Sequence, residues 1–134
     1  MRISCALLLV TGIATCVAPS SAEAQEHGVL RVFLDCQSLF CDFDHLRREI
    51  GFVDWVRDRE VAEIHVLGTS QGTGGGGREF TLTFIGRARF AGQQDTLRFI
   101  SNATDTGAEE RDALTRTLKL GLVRFAAGTA IADR

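Results

Sequence analysis

Asp35, Cys36, Cys41, Asp42, Asp44 and His45 fall in one short stretch of the chain. Two thiols at this distance close a disulfide in an oxidising compartment. Kept reduced, the same thiols bind zinc with His45 as a third ligand, completed by His65 or an aspartate. The run Cys36-Gln37-Ser38-Leu39-Phe40-Cys41 is an untidy spacing for zinc and lacks the C-x-x-C pattern of a redox-active pair. The expected pairing is therefore a disulfide, with a metal site of Cys36, Cys41 and His45 as the alternative. Leu39 and Phe40, between the cysteines, read as packing residues. Helix capping and solvation account for the three aspartates more simply than acid-base work does.

A second motif, Gly72-Thr73-Gly74-Gly75-Gly76-Gly77, has the composition of a phosphate-cradling loop. Such a loop needs a lysine after its last glycine and then a helix, whereas Arg78-Glu79 leads into a strand pattern. Gly74 to Gly77 with Arg78 thus read as a flexible hairpin tip, able to touch a partner. The three histidines, His27, His45 and His65, pair with no Ser or Cys nucleophile in an evident pattern. No catalytic residue and no cofactor is assigned, and the chain is expected to be a non-enzyme. A small exported metal-binding protein or enzyme using Cys36, Cys41, His45 and nearby aspartates is the alternative. Trp55, beside Phe52, reads as core or domain-contact surface. Acids interleave with the many arginines, which implies a mixed, solvated surface.

The elements that must position these residues follow from periodicity. Val29 to Leu34 is a β-branched and aromatic run, apolar on both faces, as in a central strand. Phe43, Leu46, Ile50 and Val53 recur at helical spacing, with Arg57 and Arg59 at the end of the helix they predict, Asp42 as its N-cap and Gly51 weakening it. Ala62, Ile64 and Val66 alternate with Glu63, His65 and Leu67. Phe80, Leu82 and Phe84 alternate likewise beyond the glycine loop, which predicts a hairpin. Thr96 to Ile100 adds a third strand to make a meander. Thr106-Gly107-Ala108-Glu109 matches a capping box, and Leu114, Leu118, Gly121, Leu122 and Phe125 line one side of the helix it opens, which Gly128 ends. The expected fold is α+β, a two-layer sandwich in the order β-α-β-β-β-α. One mixed sheet of about four strands carries two helices on one face. Its other face, with His65, Thr81, Thr83 and Ile85, is left partly exposed or against another domain.

Compartment and class come from the N-terminus and the composition. Met1-Arg2, an apolar run from Ile3 to Val17, a break at Pro19 and the sequence Ala22-Glu23-Ala24 form a secretory signal cleaved after Ala24. The apolar run is shorter than the roughly 20 residues a spanning helix needs, which argues against a permanent anchor, and no later stretch is apolar enough to span, so residues 25–134 are expected to make a single α/β envelope domain with no transmembrane segment. Lipidation at Cys16 competes with this reading, but Thr15 ahead of it fits a lipoprotein site poorly. With 134 residues, 45% of them hydrophobic, a net charge of -2 and a single proline, the chain fits one small domain. The same figures argue against disorder and against a nucleic-acid protein held by a basic face.

Three stretches carry a resemblance. These are Val32 to Cys36 with Cys41 to Arg59, then His65-Val66-Leu67 with Thr73 to Glu79 and Phe84-Ile85-Gly86, and finally Asp95 to Arg98 with Thr104 to Thr106 and Leu118 to Phe125. Together they resemble the periplasmic N-terminal domain that precedes an outer-membrane β-barrel in an uncharacterised bacterial family, from about Val29 onward. The resemblance implies a periplasmic, outer-membrane-associated location and an envelope protein or β-barrel as partner; it implies no activity. The barrel segment itself is not in this sequence, so the chain is expected to be no pore alone. It is instead a truncated or fragmentary barrel protein, or a domain that acts by itself. The element order is also similar to small α/β domains of envelope assembly proteins, including the N-terminal domain of the Tol-system propeller protein and the curli secretion lipoprotein, a likeness of fold only.

Overall fold

The structure, a computed structural model, describes residues 28–129. The segment read as an export signal, with Cys5, Cys16 and the Ala22 to Ala24 site, His27 and residues 130–134 lie outside the described residues. The order is β1 (Leu30–Cys36), α1 (Phe43–Glu49), β2 (Val53–Trp55), β3 (Ile64–Gly72), β4 (Arg78–Gly86), β5 (Gln94–Ser101) and α2 (Gly107–Ala126). The strands form one mixed sheet in the order β2-β1-β3-β4-β5. β1 runs parallel to both β2 and β3, while β4 and β5 complete an antiparallel meander.

The α+β sandwich expected from periodicity is the observed one, with five strands instead of about four. The additional strand comes from the stretch read as the second half of the first helix. Asp42 caps α1 as expected, its carboxylate accepting the His45 N–H at 3.0 Å. The helix then stops at Glu49, where the Ile50 N–H closes the last turn on the Leu46 carbonyl at 2.8 Å. Gly51 and Phe52 turn the chain, and Val53-Asp54-Trp55 pairs with Leu30, Arg31 and Val32 of β1. A β-branched residue and an aromatic next to a glycine suit an edge strand, and pairing with β1 outweighs the helical spacing. Arg57 and Arg59 therefore do not end a helix; Arg47 and Arg48 occupy the last turn of α1.

α2 follows its sequence signals closely. The Thr106 hydroxyl accepts the Glu109 N–H, and the Glu109 carboxylate accepts the Thr106 N–H at 2.7 Å. Leu114, Leu118, Leu122 and Phe125 of α2 join Leu46 and Ile50 of α1 over Leu30, Val32, Ile64, Val66, Leu82 and Phe84. Burying each of these side chains stabilises by about 1.5–3 kcal/mol relative to exposure. Both helices lie on the same face of the sheet, where Lys119 pairs with Glu49 at 3.3 Å and Arg111 with Asp42 at 3.8 Å.

At the edge of this core sits a charged residue that the strand pattern hides. Glu63 is buried, accepts the Arg31 N–H at 3.2 Å and pairs with Arg89 at 2.8 Å. It ties the start of β3 to β1 and to the turn between β4 and β5.

Candidate functional site

Cys36 and Cys41 form a disulfide that joins the end of β1 to the segment leading into α1. Oxidised sulfurs offer no thiolate to a metal. His45 is turned toward α2, its Nε2 at 4.0 Å from the Asp112 carboxylate. Among the described residues, no group of three or more His, Cys, Asp or Glu side chains is placed to hold a metal ion. The carboxyl of Asp42 is held below the usual carboxylate range, first by the His45 N–H it accepts and then by the Arg111 charge. The two residues between the cysteines separate: Leu39 packs against the core, whereas Phe40 is 88% exposed and does not pack as its sequence neighbourhood suggests.

The loop is also tied to the hairpin. Ser38 and Ser70 exchange hydrogen bonds: the Ser70 N–H donates to the Ser38 hydroxyl at 2.8 Å, and the Ser70 hydroxyl donates to the Ser38 carbonyl at 2.6 Å. Arg78 adds bonds to the same carbonyl at 3.1 Å and to the Ser70 hydroxyl, and lies over the Phe80 ring. Of the tip itself, Gly74, Gly75 and Gly76 are exposed, while Gly77 is buried against the Ser101 carbonyl. The tip therefore has a mobile-looking composition but a fixed base, and Arg78 belongs to that base.

The sheet face opposite the helices carries a pair formed by strand register. His65 Nε2 lies 3.7 Å from the Asp35 carboxylate, buried and without a hydrogen bond, beneath the edge of the Phe33 ring. Parallel register makes the pairing: Phe33 is opposite His65, so Asp35 is its diagonal neighbour on the same face. A carboxylate that orients an imidazole is one half of a base, but the neighbours in the adjoining row are Leu67 and Thr83. Among the described residues no Ser or Cys nucleophile is hydrogen-bonded to this imidazole.

A cleft of about 370 Å³ opens where β2 ends and β1 continues. Phe33, Phe43 and Trp55 supply its rings, Leu34 and Val56 its aliphatic lining, and Arg47 and Arg57 its charge. The Trp55 indole is fixed by donating to the Ile50 carbonyl at 3.3 Å. Arg47 is shared with the exposed Asp44 at 3.3 Å, and Arg57 has no hydrogen-bond or ion partner among the described residues. This volume lies at the low end of the roughly 300–1,000 Å³ range of ligand clefts. The sequence pattern puts Phe33 in a strand, Phe43 on a helix and Trp55 in the core or at a domain contact; the early end of β2 leaves the space between them.

No family model, curated protein or solved structure matches this chain. No helix among the described residues is long and apolar enough to cross a membrane.

Proposed function

We propose that this protein is an exported, non-enzymatic periplasmic interaction domain, associated with an outer-membrane β-barrel protein and binding protein or envelope components. The observation that carries the reading is the Cys36–Cys41 disulfide, in a chain whose N-terminal residues read as an export signal. Structural disulfides persist outside the reducing cytosol, so the oxidised pair and the signal point to one compartment. The family resemblance supplies the barrel partner.

The intact mass of the native polypeptide from its own cell envelopes, taken before and after reduction, tests the location. The expected species begins at Gln25 and is two hydrogens lighter before reduction, either ending at Arg134 or continuing into a barrel. Recovery from the cytosol with both thiols free overturns the reading. Lys119 is the only lysine of the chain, so an amine cross-linker applied to intact envelopes reports neighbours of α2, with the N-terminal amine as the one other reactive group. A β-barrel protein among the cross-linked species is expected. Stoichiometric zinc that is lost on Cys36→Ser would instead favour the metal-binding alternative.

A further inference from the structure

The cleft beside Trp55 lies along the edge of a strand. Consecutive residues of a strand point to opposite faces, so a cleft lined by both Phe33 and Leu34 must run beside β1 and not over either face. β2 pairs with β1 only as far as Val32 and Trp55, after which the Val56 N–H reaches the Val32 carbonyl at 2.9 Å. In a parallel ladder alternate residues turn both backbone groups to the same neighbour. Leu34 therefore presents its N–H and carbonyl on the side that β2 has left, and among the described residues neither meets a backbone partner there. An edge with a free donor and acceptor, apolar walls and two guanidinium groups has three requirements at once. Its occupant must be extended, apolar in its side chain and anionic at one end.

We propose that this slot binds the free C-terminus of an extended peptide with an apolar last residue. The peptide backbone continues the place of β2 by pairing with Leu34. Its last side chain lies between Phe43 and Trp55 on the helix side of the sheet, and its carboxylate is held by Arg57 with Arg47, whose planar guanidinium groups suit two oxygens. A simple amphiphile meets the charge and the apolar walls but leaves the Leu34 groups unpaired. The inference rests on the interaction-domain reading and names the chemistry of the partner.

Trp55 is the only tryptophan, so its emission reports the slot directly. The oxidised protein is titrated with acetylated Ser-Thr-Val-Leu bearing a free carboxylate, with the same peptide amidated, and with decanoate, and calorimetry repeats each titration. The expected result is saturable binding of the acid, with the amide about tenfold weaker, as for loss of a charge-assisted contact. Arg57→Gln should bring the acid down to the level of the amide while leaving the amide unchanged. Arg47→Gln serves as a second variant should Arg57→Gln lower the folded fraction. Absence of saturable binding by either method, equal binding of acid and amide, or decanoate binding as tightly as the peptide overturns the proposal. None of these outcomes touches the envelope reading, which stands or falls on the native mass and the cross-links.

Discussion

The ring of Phe84 lies flat against the backbone of α2 at Gly121, in the space that a side-chain carbon on residue 121 would occupy. Phe84 is fully buried at the centre of β4, so its ring has nowhere to retreat. Gly121→Ala improves intrinsic helix propensity by about 1 kcal/mol, yet overpacking a tight core costs about 1–3 kcal/mol. The expected net effect is destabilisation, read as a lower midpoint in thermal or denaturant unfolding. A stabilised variant would show that α2 can lift off the sheet at little cost.

The Cys36–Cys41 crosslink closes a short loop, with a sequence separation of 5. Chain entropy for a loop of this size amounts to about 2 kcal/mol at room temperature. The paired Cys36→Ser and Cys41→Ser variant should lose about that much, a drop of roughly 10 °C in midpoint for a domain of this length. The Ser38 to Ser70 bonds and Arg78 hold the same loop by other means, so the variant should still fold. An unfolded product by circular dichroism would contradict this.

Asp42 and Glu109 cap the two helices, and both carboxyls are held below the usual range. For Glu109 the main cause is the Thr106 N–H it accepts, followed by the Thr106 hydroxyl. The unfolded chain thus takes up these protons at higher pH than the folded one does. The stability they supply is present above the ordinary carboxylate range and is lost as pH falls through their lowered values. Stability measured from about pH 5 downward should decline less steeply in Asp42→Asn and in Glu109→Gln than in the parent.

The four consecutive glycines of the hairpin tip should respond differently to the same methyl group. At Gly75 nothing lies within 4 Å of an added carbon, and Gly75→Ala should fall within about 0.5 kcal/mol of the parent. At Gly77 the added carbon runs into the Ser101 carbonyl, and Gly77→Ala should cost about 1–3 kcal/mol. Gly76 has φ +83, where any side chain is strained. Equal unfolding midpoints for the Gly75 and Gly77 variants would mean that the base of the tip is not fixed.

What could be read in the sequence divides along the reach of the physical signal. The capping box at Thr106 to Glu109, the spacing from Leu114 to Phe125 and the alternation on either side of the glycine run are local, and α2, β3 and β4 appear where they place them. Phe43, Leu46, Ile50 and Val53 fit a helix equally well, and only pairing with β1 turns the last of them into a strand. The disulfide was legible from the nearness of Cys36 and Cys41 and from the expected compartment. The Asp35 to His65 pair, the burial of Glu63 and the slot beside Trp55 were not, because each depends on which strands lie side by side. Parallel register leaves no mark on the spacing of residues within either strand.

β1 is the first strand of the fold, yet both of its neighbours in the sheet come later in the chain. Each is reached by a parallel connection and not by a hairpin, and β1 fits between β2 and β3 only once the chain has passed Ile64. The β3-β4-β5 meander, by contrast, is built from neighbouring hairpins whose loops close cheaply. The meander therefore closes its contacts over shorter loops than the two parallel connections that seat β1, so the N-terminal strand is held by the least local contacts of the sheet.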